Sequence, residues 1–324
     1  MKIVILDGFA VNPGDLDWGF LGKYGDYEVF AKTPDAECAG KCKGAEVVFT
    51  NRAKITAALL DKCPTIKYVS ALGTGFDMID TDACRERGVQ VVNIPAYSTA
   101  SVAQLAIQML LALYSDLDGM QNIVRDGMWT GIPGYPYQNV NYTELDGMTL
   151  GLIGCGGIGS RVARIASALG MNVIAATAHH HEDTEYVKFL TVDEVRKNCD
   201  VLSLHCPLND STRGMVDAEF ISGMKPGAKL INTSRGAVLN EKDVADALNS
   251  GRLSSAALDV LAVEPALPDN PLLKAKNCVV TPHIAWASKA ARIRLIKVID
   301  ASLGSYARTG KGQNTVAGCD GSGR

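Results

Sequence analysis

Short apolar runs rich in β-branched residues alternate along the chain with segments of helical spacing. In the first hundred residues KIVILD, YEVFA, EVVFT, IKYVSA and VQVVNI read as strands. Between the later ones, KITAALLDKC and MIDTDACRERG carry a helical period, the second stopped by Gly88. The alternation predicts an α/β unit with a parallel sheet. A long apolar helix over Thr99 to Leu117 then leads into DGMWTGIPGYPYQNVNYTELDG. This stretch reads as a loop or arm lying against another surface, because exposed Trp129, Tyr135, Tyr137 and Tyr142 would otherwise make a sticky patch. A subunit interface is the expected use.

A second alternation begins at residue 149, with strands TLGLIG, NVIAAT, VLSLH, AKLINT, AALDV and CVVTP. Among its helical segments, TVDE at 191–194 fits a capping box, and NEKDVADALNSG runs from an N-cap at Asn240 to Gly251. Six strands with crossover helices predict a doubly wound sheet. A last helix, KAARIRLIKVIDASLGSYA, precedes a polar tail, GKGQNTVAGCDGSGR, which reads as frayed. At 324 residues the chain exceeds what one core serves, so two domains are expected.

Composition narrows the function. A hydrophobic fraction of 47% supplies two cores, and a formal net charge of -3 without a dense Lys/Arg run argues against nucleic acid as a partner. The apolar run near the start is too short for a signal-peptide core. SVAQLAIQMLLALY, interrupted by Gln104 and Gln108, falls short of a membrane span. A cytoplasmic protein with no membrane partner is expected. The nine cysteines show no repeated spacing, and Cys38 and Cys42, the closest pair, lack a second pair or a nearby His. They read as reduced, mostly buried thiols, and no metal is expected.

The segment TLGLIGCGGIGSRVARIASALG joins a strand, a glycine turn and an amphipathic helix, with Gly154, Gly156 and Gly159 in G-x-G-x-x-G spacing. The first glycine allows the tight turn, the second lets a pyrophosphate approach the backbone, and the third lets helix and strand pack closely. A dinucleotide would place its pyrophosphate on the amides that open the helix. Arg161 and Arg164 in that helix read as solvated charges. The next strand ends at Thr177, eighteen residues after Gly159, where such sites usually carry the acid that holds the ribose of NAD. Threonine accepts a ribose hydroxyl weakly and repels no extra phosphate, and only His179, His180 and His181 follow closely. NAD with NADP tolerated is the expected cofactor. The three histidines read as a solvated loop.

Ligands of open parallel sheets collect at the carboxyl ends of the strands. Those ends carry Arg235 after KLINTS, Asp259 and Glu264 around LDVLAVEP, and His283 in VVTPHIAWAS. Together with LDGFAVNPGDLDW, NIPAYSTASVAQ, GLIGCGGIG, HCPL and INTSRGAVLNE, these motifs span nearly the whole chain. They resemble the D-isomer-specific 2-hydroxyacid dehydrogenases, most closely the glycerate dehydrogenase (hydroxypyruvate reductase) group.

The resemblance implies a Rossmann dinucleotide-binding domain over 99–286 and a flavodoxin-like substrate domain over 1–98, completed by 287–324. It implies NAD(P)-dependent interconversion of a small 2-oxo acid and its D-2-hydroxy acid, with hydroxypyruvate and glyoxylate leading. The catalytic residues would be Arg235, Glu264 and His283. Arg235 suits the task of holding a carboxylate and a carbonyl oxygen, because a guanidinium has fixed geometry and constant charge. His283 suits proton transfer, and Glu264 on its far nitrogen would fix the tautomer. Formate dehydrogenases of the same fold, which need no proton, resemble the chain but carry an amide where Glu264 stands.

By the same resemblance the cofactor contacts would be Thr99, Val102, Gly154, Gly156, Gly157, Ile158, Gly159, Thr177, Cys206, Pro207, Thr233 and Asp259, the last on the nicotinamide carboxamide. Amides near Leu72, Gly73 and Thr74 in ALGTGFD would cradle the substrate carboxylate, beside Arg235 and His283, and Trp286 would wall the pocket. The family implies a homodimer. The alternative is a dinucleotide-sensing corepressor of the same fold without turnover; the joint presence of Arg235, Glu264 and His283 weighs against it.

Overall fold

Continuous apolar runs of four or five residues suit parallel strands covered on both faces. The chain uses them to build two sheets. A computed structural model describes residues 1–130, 141–179, 181–316 and 318–321. Tyr135, Tyr137 and His180 lie outside the described residues. The chain divides into one unit of Met1–Ser98 with Ala287–Arg324 and another of Thr99–Trp286.

The first unit holds β1 (Lys2–Ile5), β2 (Asp26–Val29), β3 (Val47–Thr50), β4 (Tyr68–Ala71) and β5 (Gln90–Val92), in the order β2-β1-β3-β4-β5. Every neighbouring pair is parallel. Strands β3, β4 and β5 are buried throughout, whereas the edge strand β2 is exposed along its length.

The helix Lys289–Thr309 belongs to this unit. It buries Ala291, Leu295, Ile299 and Leu303 at spacings of four residues. Polar contacts fix its position: Arg292 forks onto Asp15 at 2.6 and 2.9 Å, Tyr24 donates to the Asp300 carboxylate at 2.7 Å, and the Tyr68 and Ser302 hydroxyls meet at 2.9 Å.

Among the described residues, the tail after this helix is paired rather than frayed, contrary to its composition. Thr315 pairs antiparallel with Val92, the Val316 amide donates to Val91 O at 2.8 Å, and the Val91 amide donates to Cys319 O at 3.0 Å. Strand β5 is otherwise an edge with unpaired backbone groups, and the tail supplies their partners. Cys319 is buried in the same apolar cluster as Cys84.

The second unit holds β6 (Thr149–Ile153), β7 (Asn172–Ala176), β8 (Lys188–Phe189), β9 (Val201–Leu204), β10 (Ala228–Asn232), β11 (Leu253–Leu258) and β12 (Cys278–Val280). Their order is β12-β11-β10-β9-β6-β7-β8, all parallel. The direction of winding reverses between β6 and β9, which opens a crevice at their carboxyl ends. The sheet has seven strands where six were expected, because β8 is only two residues long and leaves no periodic signal. The capping box at Thr191 and the Asn240 to Gly251 helix bounds are as expected.

The long apolar helix ends at Tyr114, three residues early. Ser115 pairs with Tyr142, and the Asp116 carboxylate accepts the Gly119 amide at 2.9 Å, which starts a new helix, Leu117–Arg125. Leu117, Trp129 and Tyr142 stand exposed on this segment. All nine cysteines are free thiols, seven of them buried. Burial pushes Cys42, Cys84 and Cys199 up to about 12, which keeps these thiols unreactive. No helix among the described residues is long and apolar enough to cross a membrane.

Candidate active site

Strand β6 stops at Ile153, and Gly154 turns the chain with φ 92°, a conformation that favours glycine. A side chain at Gly154 would come within 2.7 Å of the backbone of His205 and Cys206, just beyond β9. One at Gly159 would collide with the Gly154 carbonyl. The two glycines therefore let the helix Gly157–Ala168 start directly against the sheet at the crevice. Gly156 is its N-cap, has no side chain to occupy the first amides, and faces open space. Thr99 lies beside Gly157, with its methyl 3.8 Å from where a side chain there would start, and Val102 is buried one turn along the same helix. Ile158 is half-buried, Cys206 is buried and Pro207 is exposed. Thr233, just past β10, has a buried hydroxyl with no hydrogen-bond partner among the described residues. A bare helix start after β6 and an orphaned hydroxyl after β10, with only β9 between the two strands, fit a dinucleotide.

Thr177 ends β7 differently from an acid. Its hydroxyl donates to His179 O at 2.5 Å and closes the turn, so the side chain can otherwise only accept. The His181 ring stacks on Phe189 at 5.2 Å, and His179 is exposed.

The ends of β10, β11 and β12 bring the chemistry together. Glu264 Oε2 and His283 Nδ1 are 2.6 Å apart, and Glu264 Oε1 accepts the Leu261 amide at 3.1 Å. An ionised carboxylate only accepts, so Nδ1 carries the hydrogen and Nε2 is the nitrogen that can exchange a proton with a ligand. Arg235 is half-buried, with Nη1 donating to Ser234 O at 2.9 Å. Gly236 after it allows a backbone approach to Leu261 and Ala262 that any side chain would block. The Arg235 turn is thus seated on the loop that carries Glu264. A guanidinium, a carboxylate and an imidazole with a set tautomer, all on one sheet edge with the glycine turn, are the parts needed to polarise and protonate a carbonyl beside a carboxylate.

Residues 107–285 match the family described as D-isomer specific 2-hydroxyacid dehydrogenase, NAD binding domain. The chain belongs to this family. A hydroxypyruvate reductase of Blautia hydrogenotrophica is 42% identical over 303 residues, covering 92% of this chain and 94% of the relative. Among solved structures, an acyclic imino acid reductase in complex with NADPH and D-Arg superposes with a TM-score of 0.84 at 30% identity, covering 98% of this chain and 100% of that one. The D-lactate dehydrogenase of Aquifex aeolicus, complexed with NAD and lactic acid, gives a TM-score of 0.81 at 29% identity, covering 94% and 95%. This dehydrogenase is therefore an oxidoreductase with a nicotinamide dinucleotide cofactor, interconverting a small 2-oxo acid and its D-2-hydroxy acid.

Other residues of the dehydrogenase stand apart from the expected pattern. In the first unit, the Leu72 amide is taken by Thr50 O at 2.7 Å, so it cannot cradle a carboxylate; strand pairing between β3 and β4 claims it. The amides of Gly73 and Thr74 are left for that role, in a loop pinned by Ile94, which accepts from Thr74 Oγ1 and donates to Gly73 O, both at 2.9 Å. Trp286 is half-buried. Asp259 is only 1% exposed and its carboxylate accepts three hydrogen bonds from the loop of His283, a role that sequence reasoning missed. His205 likewise has a place that its sequence pattern does not signal. Its Nε2 lies 2.9 Å from Ser203 Oγ, and burial pushes its pKa down to about 4, so it sits neutral beneath the glycine turn. Among the described residues no group of three or more His, Cys, Asp or Glu is placed to hold a metal ion.

Proposed function

We propose that this dehydrogenase reduces hydroxypyruvate and glyoxylate, and that Arg235, Glu264 and His283 carry the reaction. The observation that carries this reading is the 2.6 Å contact between Glu264 Oε2 and His283 Nδ1. Arg235, a permanent cation, engages the carboxylate and carbonyl oxygens of the 2-oxo acid and draws electron density from C2. When bound, the reduced nicotinamide supplies the hydride that C2 receives. His283 in its protonated form gives the Nε2 proton to the carbonyl oxygen and takes it back in the oxidation direction. Because Nδ1–H stays on Glu264 throughout, the ring keeps one orientation in both half-reactions. The hydroxypyruvate reductase of Blautia hydrogenotrophica, with its 42% identity, supports the substrate choice.

In this reading the unit Thr99–Trp286 is the dinucleotide-binding domain. Its cofactor contacts come from Thr99, Val102, the turn Gly154 to Gly159, Thr177, Cys206, Pro207, Thr233 and Asp259. The unit of Met1–Ser98 and Ala287–Arg324 is the substrate domain and offers the amides of Gly73 and Thr74; Trp286 walls the pocket. NAD is the favoured cofactor with NADP tolerated, since Thr177 leaves a lone pair for the ribose and repels nothing. The exposed Leu117, Trp129 and Tyr142 form the surface that a second copy covers in a homodimer, and the buried free thiols are in keeping with a reducing cytoplasm.

The test is NADH consumption across a panel of 2-oxo acids, with hydroxypyruvate and glyoxylate expected to give the highest kcat/KM. His283→Ala should lose about three orders of magnitude or more in kcat while NADH affinity stays within a few-fold. A near-normal rate removes His283 from proton transfer, and no turnover with any 2-oxo acid favours a dinucleotide-sensing protein.

A further inference from the structure

At the carboxyl ends of β10 and β11 two polar residues are almost without exposure, Asn232 at 0% and Asp259 at 1%. Each is committed to a loop that bears a reacting side chain. Asn232 Nδ2 donates to Arg235 O at 2.9 Å, and its Oδ1 accepts the Ser234 amide and hydroxyl at 3.0 and 2.9 Å. Asp259 Oδ1 accepts the Thr281 hydroxyl at 2.6 Å and the Ile284 amide at 2.9 Å, while Oδ2 accepts the Ala285 amide at 2.9 Å. The His283 amide donates to the Asp259 carbonyl at 2.8 Å. The Asp259 amide in turn donates to Asn232 O at 2.9 Å, so the two anchors are joined through the backbone.

His283 needs such an anchor. It has φ 53°, in the left-handed region that few residues other than glycine occupy, and a conformation of this kind persists only where its surroundings fix it. The donors on either side of it, Thr281, Ile284 and Ala285, all end on one buried carboxylate. A neutral amide in that place cannot accept all three, because its NH2 group would face a donor.

We propose that Asp259 is a positioning residue for proton transfer: its carboxylate holds the 281–285 loop so that His283, in its left-handed conformation, meets Glu264. This rests on the reading of His283 as the proton donor. It differs from the nicotinamide contact expected for Asp259, although Oδ2, with one partner, retains room for both roles.

Two variants test it. Asp259→Asn should lower kcat about tenfold to a hundredfold, as expected when a reacting group is misplaced by about an ångström. Because Asp259 is also read as a nicotinamide contact, the dissociation constant of NADH, read by protein fluorescence without substrate, is compared in the second variant, where it should stay within about twofold. Thr281→Val, which removes one donor to Asp259 and leaves the carboxylate in place, should give a smaller loss in the same direction, about threefold to tenfold. The second readout needs no turnover: the His283 Nδ1–H proton, held at 2.6 Å from Glu264, should give a downfield NMR signal that is absent in His283→Gln. That signal should weaken or vanish in both variants while the amide spectrum stays folded. If the signal persists in both, or if NADH affinity falls in parallel with kcat in Thr281→Val, the proposal is overturned. Should the wild type turn over no 2-oxo acid, the proposed function fails, and the NMR comparison still decides the role of Asp259. If Asp259→Asn does not fold, Thr281→Val carries the test alone.

Discussion

At the scale of single residues, the proposed function makes cofactor choice turn on Thr177. Its hydroxyl hydrogen is already given to His179 O, so toward a ribose in the proposed site it could only accept, and its side chain has no charge to repel a phosphate. Thr177→Asp adds both the better acceptor and the repulsion. The ratio of kcat/KM for NADPH over NADH should fall by about tenfold or more, equivalent to ~1.4 kcal/mol or more. Paired assays with the two coenzymes on wild type and variant check this, and an unchanged ratio removes Thr177 from the ribose site. Single residues were legible where their chemistry is unusual for their place. Arg235, Glu264 and His283 stand out because charged or titratable groups at buried strand ends need a reason. The Leu72 amide was not legible, since its partner, Thr50 O, is decided by which strand lies alongside β4. The load on Asp259 was hidden for a related reason: its partners lie 22 to 26 residues away and two of the three are backbone.

At the scale of elements, the strand ends and the glycine turn read clearly, because buried parallel strands, a capping box and G-x-G-x-x-G each leave a local mark. The break at Tyr114 did not, since the apolar pattern runs on while the Asp116 cap starts a new helix. A further consequence lies at the end of β9. His205 is held neutral until about pH 4, whereas in the unfolded chain it takes up its proton near its ordinary value of 6.5. Between these values the unfolded state binds more protons, so stability falls as pH drops through the window, by up to about 3 kcal/mol at its lower end. Urea unfolding from pH 7 to pH 4.5 should show a steeper loss in the wild type than in His205→Gln. Equal slopes would show that the His205 ring does not resist protonation.

At the scale of the whole molecule, the two-sheet architecture follows from the alternation of apolar runs and helices, but the tail does not. Residues after Gly310 look like a solvated end by composition, yet Thr315, Val316 and Cys319 pair with β5 because an edge strand has backbone groups to satisfy. Removing the chain after Gly310 should uncover that edge and open a cavity at Cys319. The expected cost is about 2–4 kcal/mol, visible as a lower Tm, with more aggregation from the bared edge. A truncated protein of unchanged Tm would show the tail to be ornamental. The order of the chain also bears on how the protein is made. The first unit is interrupted: β1 to β5 come from Met1–Ser98, while the helix that packs on them begins at Lys289, after the whole of the second unit. A ribosome therefore releases the complete sequence of the later sheet before it finishes the earlier one. The nascent amino-terminal strands must wait, partly bare and open to chaperones, until the segment Ala287–Arg324 arrives to close over them.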